Sequence, residues 1–175
     1  MQIISKLEKL VLGWAKDVPH LPVAVQKWLG TNVWWIALIG AILNGISLLV
    51  TMGALFTLIE ILGTPSSTYH IAGNYNSLAI LNAAINLIFI AINGLLLAFA
   101  VKPLQMKHKK GWVLLFFTLL VQAVSVVVGA VLSLSILGFI IGILFGTIFL
   151  AISAYFIFEI HGQFNHALKA TIKKS

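Results

Sequence analysis

Four long apolar stretches, separated by short polar segments, dominate the sequence. They run over about residues 34–62, 78–101, 112–132 and 136–158. A helix needs about 20 apolar residues to cross the hydrocarbon core of a bilayer, and each stretch is long enough. The pattern predicts an all-α polytopic membrane protein whose residues 33–158 form a bundle of four transmembrane helices. Because the first stretch is longer than a span requires, we expect it to tilt, to kink near residues 44 and 45, or to project from the membrane.

The residues before the first stretch follow a different pattern. Between residues 2 and 16 apolar side chains recur at three- and four-residue spacing, with lysines between them. This is the pattern of an amphipathic helix, either lying in the lipid headgroup region or packed on the ends of the bundle. We assign residues 1–32 to this interfacial segment and expect Pro22 to start a short second helix within it. Residues 159–175 are predicted to continue the last helix as a basic tail.

Lysines flank the predicted helices on one side only. All eleven basic residues are lysine, and they precede the first stretch, separate the second from the third, or follow the fourth. The other two connections, 63–77 and 133–135, contain none. By the positive-inside rule, both termini and the middle loop are predicted to lie in the cytoplasm. Since this asymmetry excludes pairing of copies in opposite orientations, any homo-oligomer is expected to be parallel.

The composition indicates which partners to expect. The chain is 61% hydrophobic and 9% charged, whereas soluble domains have about 45–50% apolar and 25% charged residues. The net charge of +7 would suggest nucleic acid if the protein were soluble. Lysines beside apolar spans instead favour anionic lipid headgroups. We predict membrane lipids as partners and no binding of nucleic acid.

Small residues recur at four-residue intervals in the last two stretches. Membrane helices pack closely where small residues let their backbones approach. A tight antiparallel connection would place the small residues of one helix opposite those of the next at three successive levels. An alternative is that the glycines contact a second protein or another copy of the chain. The predicted packing residues are Ser125, Gly129, Ser133, Gly138, Gly142 and Gly146.

Asparagines form a polar stripe on the second stretch. Asn82, Asn86 and Asn93 fall within about 40° of one another on a helix. Asn44 of the first stretch and Gln122 of the third are candidates to meet them. Buried amides in membranes commonly bond to neighbouring helices, so the stripe is interpreted first as structural. The alternative is a hydrated path for a small solute.

Two acidic residues lie near the predicted spans. Glu60 comes near the outer end of the first stretch and Glu159 near the inner end of the fourth. An ionisable group within a span is a functional candidate, but both are close enough to an interface to be expected to reach water. Glu60 is the stronger candidate, because it adjoins an uncharged polar loop that holds His70 and could contact a cation or a partner with it.

No motif for catalysis or cofactor binding occurs. The sequence has no HExxH, GxSxG, Walker loop or dinucleotide fingerprint, and it contains no cysteine. His161 and His166 are five residues apart, whereas metal ligands on one helical face are better three or four apart. We predict a non-enzymatic protein without cofactor or metal.

Two segments resemble a known group of proteins. The basic loop KPLQMKHKKGW (102–112) and the segment YFIFEIHGQF (155–164) are similar to the corresponding parts of small four-helix inner-membrane proteins of reduced-genome bacteria, which have no known function. The resemblance covers about half of the chain. It implies a bacterial inner membrane and carries no expectation of activity.

Two functions fit these patterns. The first is a non-enzymatic scaffold or subunit of a membrane assembly that acts through helix association, as a parallel homo-oligomer or with another membrane protein. The second is a small oligomeric transporter or channel that uses the asparagine stripe.

Overall fold

A computed structural model describes residues 19–63, 73–133 and 135–164. This part of the chain is all-helical and contains no strand. Helix α1 runs over Val23–Gly63, α2 over Gly73–Gln105, α3 over Lys109–Val131 and α4 over Ile136–Glu159, and a short 3₁₀ helix follows at His161–Phe164. All four long helices are apolar and long enough to cross a membrane. The prediction of four helices that are long and apolar enough to span a membrane is therefore confirmed.

Helix α1 begins eleven residues earlier than the first apolar stretch. It is one continuous helix of 41 residues, so residues 23–32 belong to it, and Pro22 starts this long helix rather than a separate short one. At about 1.5 Å per residue it is roughly 60 Å long, about twice the hydrocarbon core. Gly30 lies within this added segment and is buried; a Cβ there would lie 2.7 Å from Cγ of Gln163.

The other helix ends differ less from the prediction. Helix α2 extends past the second apolar stretch at both ends, and α4 agrees with the fourth stretch to within one residue. Helix α4 does not continue into a tail, because its backbone changes to the 3₁₀ helix after Glu159. The amphipathic segment of residues 2–16 and the end of the tail lie outside the described residues.

Each helix packs antiparallel on its neighbour in sequence, which gives the order α1–α2–α3–α4. Consequently α1 and α3 begin, and α2 and α4 end, at one end of the bundle. We call this the basic end, because the described lysines all lie there: Lys27, Lys102, Lys107, Lys109 and Lys110. The described structure therefore has its lysines on one side, as the sequence predicts. On which side of a membrane they lie stays a prediction.

The buried core lies at the basic end. Its centre is Trp112, which is fully buried, stacks on Phe116 with ring centroids 5.6 Å apart, and meets Phe158 edge-on at 6.0 Å. The indole Nε1 of Trp112 donates a hydrogen bond of 2.8 Å to the carbonyl of Ile157. This core joins α3 to the end of α4 and to the 3₁₀ helix, where Phe164 is also buried.

Candidate functional site

A polar cluster around Glu159 ties the start of the chain's described part to the end of α4. The carboxylate has one oxygen 2.7 Å from Nδ1 of His20. Its other oxygen accepts hydrogen bonds from the backbone N–H of Leu21, at 3.0 Å, and from Nε2 of Gln26, at 2.8 Å. The side chain of Glu159 is only 5% exposed. We call residues 19–26 together with Glu159 and Tyr155 the polar clasp.

The clasp has one further bond and one clear consequence. The hydroxyl of Tyr155 donates to the carbonyl of Pro19 at 2.8 Å. The expectation that Glu159 reaches water is wrong, because protein donors surround its oxygens. Sequence reasoning missed this site since its two halves are more than 130 residues apart. The only available signal was the presence of an acid beside a span.

An apolar groove lies between α1 and α4, next to the clasp and on the side away from the basic end. These two helices do not pack along each other, and α3 and Leu97 of α2 close the back. The groove has a volume of about 460 Å³, within the range of about 300–1,000 Å³ typical of ligand sites. Most of its walls are apolar, and its buried floor includes Val33, Ala37, Leu115, Leu119 and Ile160.

Three polar side chains line the groove: Thr118, Gln122 and Ser153. The Thr118 hydroxyl donates to the carbonyl of Leu114 on its own helix, at 3.1 Å. Gln122, a candidate from the sequence to meet the asparagine stripe, lines this groove. None of Asn82, Asn86 and Asn93 lines the groove.

The asparagines of the stripe differ in how far they are exposed. Asn86 is exposed, whereas Asn82 and Asn93 are half-buried. Asn44 donates from Nδ2 to the carbonyl of Gly40 on its own helix, at 2.8 Å, and its Cβ is 3.2 Å from the position of a Cβ on Gly94. Asn93 has a buried Oδ1 without a hydrogen-bond partner among the described residues. Helix α1 thus approaches the stripe beside Asn93.

The small residues of α3 and α4 come together only in part. A Cβ on Gly138 would lie 3.6 Å from Cβ of Ser133, so the predicted level next to the turn is formed. A Cβ on Gly146 would meet Val126, at 2.5 Å from Cγ1, rather than Ser125. Ser125 instead donates to the carbonyl of Gln122 on its own helix, at 3.1 Å.

The middle level of the predicted packing is absent. A Cβ on Gly129 or on Gly142 would have no heavy atom within 4 Å, and Gly142 is exposed. Val126 lies over Gly146, and α3 does not approach Gly142 closely. The prediction that these two glycines face each other closely is therefore wrong.

The predicted outer-face contact is described only in part. Glu60 is exposed near the end of α1, as expected for a solvated carboxylate. His70 lies outside the described residues, so the pairing of the two stays a prediction. Within residues 19–63, 73–133 and 135–164, no three His, Asp or Glu side chains come together as a metal site would require.

The chain was compared with models of protein families, with curated proteins and with solved structures. None of the three comparisons finds a match. A functional proposal therefore has to be built on the residues of this chain.

Proposed function

We propose that this is a non-enzymatic membrane protein that acts by helix association, as a scaffold or subunit of a membrane assembly, and that α4 provides the contact. One observation carries the proposal. All residues of the segment 136–149 except Gly138 and Gly146 are exposed, so this half of α4 touches the rest of the bundle along one narrow strip. The remaining surface is available to another helix.

Gly142 indicates where a second helix would approach. Glycine lowers helix stability by about 1 kcal/mol relative to alanine, and within the chain Gly142 gives no close packing in return. A small residue on an exposed helix face allows another backbone to come near. The partner is then a membrane helix of a second protein or of a parallel second copy.

The test compares two glycine substitutions. Gly142→Leu and Gly45→Leu form a matched pair, because a Cβ at either position would have no heavy atom within 4 Å. In mild detergent we expect the wild type and Gly45→Leu to migrate as the same oligomer or partner complex on native gels, and Gly142→Leu to lose it. A wild-type protein that is strictly monomeric and without a partner would refute the proposal.

A second function rests on Asn93. A buried amide oxygen without a partner is costly in an apolar environment, and water or a solute in a path through an oligomer would satisfy it. The triple replacement of Asn82, Asn86 and Asn93 by leucine should then abolish solute flux into liposomes while the protein remains folded. Wild-type liposomes that pass neither ions nor small solutes would remove this function.

The placement in the cell is part of the proposal. The one-sided lysines support an orientation with both termini in the cytoplasm. The resemblance of residues 102–112 and 155–164 to small bacterial proteins supports a bacterial inner membrane.

A further inference from the structure

We propose that the groove between α1 and α4 binds one acyl chain of an anionic phospholipid from the membrane leaflet at the basic end. This inference does not depend on association through α4, since the groove lies in the other half of that helix. Three features carry it: the shape of the groove, its access and the charge beside it.

The shape selects a single hydrocarbon chain. Along α1 the groove extends from Leu29 to Gly40, which is about 16 Å at 1.5 Å per residue. That length matches the hydrocarbon depth of one leaflet, about 15 Å or half of the bilayer core. With a volume of about 460 Å³, the groove has room for an extended hydrocarbon chain.

Access to the groove is from the lipid rather than from water. At the basic end the polar clasp crosses from α1 to α4 through the bonds of His20, Leu21 and Gln26 to Glu159. Between the two helices the rim residues Ile36 and Phe156 are exposed. An acyl chain therefore enters the groove sideways from the bilayer. This route favours a membrane lipid over a water-soluble ligand.

The lysines at the same end of the bundle favour an anionic headgroup. The described lysines lie at the basic end, on α1, the end of α2 and the start of α3, and Lys107 reaches Thr31 of α1 at 3.2 Å. The described acid at that end, Glu159, is held by the clasp donors. A lipid whose chain fills the groove has its headgroup at this level, where lysines favour a negative charge.

The site can be tested by titrating the purified protein in a neutral detergent and counting bound lipid by native mass spectrometry. The probes are palmitoyl-oleoyl phosphatidylglycerol and the phosphatidylcholine with the same chains. We expect one phosphatidylglycerol to bind roughly ten-fold more tightly than phosphatidylcholine, given the lysines at the basic end. Ser153→Phe should weaken that binding roughly ten-fold or more by filling the groove. The matched control Ala151→Phe, at an exposed position of α4, should stay within about two-fold of wild type.

A measurement on the wild type covers the case in which Ser153→Phe does not fold. Phosphatidylglycerol with a photoreactive group in its acyl chain should label the groove segments 33–40 and 153–157 in preference to 136–149. Equal labelling of all segments or equal binding of the two lipids would overturn the proposal. Equal effects of Ser153→Phe and Ala151→Phe on lipid binding would overturn it as well. A further contrary result would be that the lipid does not label the groove and that the Ile36→Cys variant forms a disulfide-linked dimer. A second copy of the chain would then occupy the groove.

Discussion

At the turn between α2 and α3, Gly111 has no room for a side chain. A Cβ there would lie 2.7 Å from the backbone nitrogen of Leu104 and 2.9 Å from the carbonyl carbon of Pro103. These are backbone atoms of a helix end, which cannot move aside as a flexible side chain can. The close approach lets Leu104 and Trp112 both reach the core.

We expect Gly111→Ala to destabilise the protein by about 1–3 kcal/mol, as overpacking does. The measurement is thermal unfolding in detergent, followed by the loss of the monodisperse gel-filtration peak. Gly45→Ala is the control, since a Cβ there meets nothing within 4 Å; it should be neutral or stabilising by up to about 1 kcal/mol. Equal behaviour of the two variants would contradict the turn geometry.

Glu159 makes a second prediction at the scale of single residues. Its replacement by alanine leaves the backbone N–H of Leu21 and Nε2 of Gln26 without their acceptor. A hydrogen bond to a charged group contributes about 1.5–3 kcal/mol to the stability of a protein. We expect Glu159→Ala to lower the unfolding temperature clearly and to free residues 19–22 for limited proteolysis. Glu60→Ala, at an exposed position, should do neither. A stable, protease-resistant Glu159→Ala protein would show that the clasp does not hold this segment.

Between elements, one close contact of α3 with α4 consists of one valine packed over one glycine. Val126 fills the notch at Gly146, and a β-branched side chain on a helix has little freedom to turn away. This contact explains why the repeat of small residues alone did not give the correct pairing. The repeat of small residues predicts that a neighbouring helix comes close. The rotation of each helix about its axis decides which side chain packs on each glycine.

A double-mutant cycle tests that contact. Gly146→Ala should destabilise the protein by about 1–3 kcal/mol. Val126→Ala should be mildly destabilising by itself, and the double variant should be more stable than the sum of the two single effects predicts, because the added methyl group then has space. The free energies come from unfolding in detergent. Strictly additive effects would mean that the two residues do not touch.

On the scale of the whole molecule, the bundle is closed at one end and open at the other. The core of Trp112, Phe116, Phe158 and Phe164 lies at the basic end, together with the clasp. Toward the opposite end α4 is exposed to its surroundings on nearly all sides. A membrane protein can tolerate this because lipid covers apolar side chains as well as another helix does.

The threading of the chain through the membrane can be tested directly, because the protein has no cysteine of its own. We expect His108→Cys, in the exposed turn after α2, to react with an impermeant maleimide only after the cells are opened. His70→Cys, in the lysine-free connection, should react in intact cells. The opposite labelling pattern would reverse the predicted orientation.

The sequence by itself determined the number of helices, their approximate ends except at the start of α1, and the placement of the described lysines at one end, because the length of an apolar run and the cost of moving a charge across lipid are local properties. The tertiary structure decided how each helix is rotated about its axis. It thereby buried Glu159 among polar partners from residues 20–26, placed Gln122 in a groove and left Gly142 without a close neighbour on α3. The physical reason is that lipid and protein interior are both apolar, so a membrane helix carries little periodic signal of which face is buried.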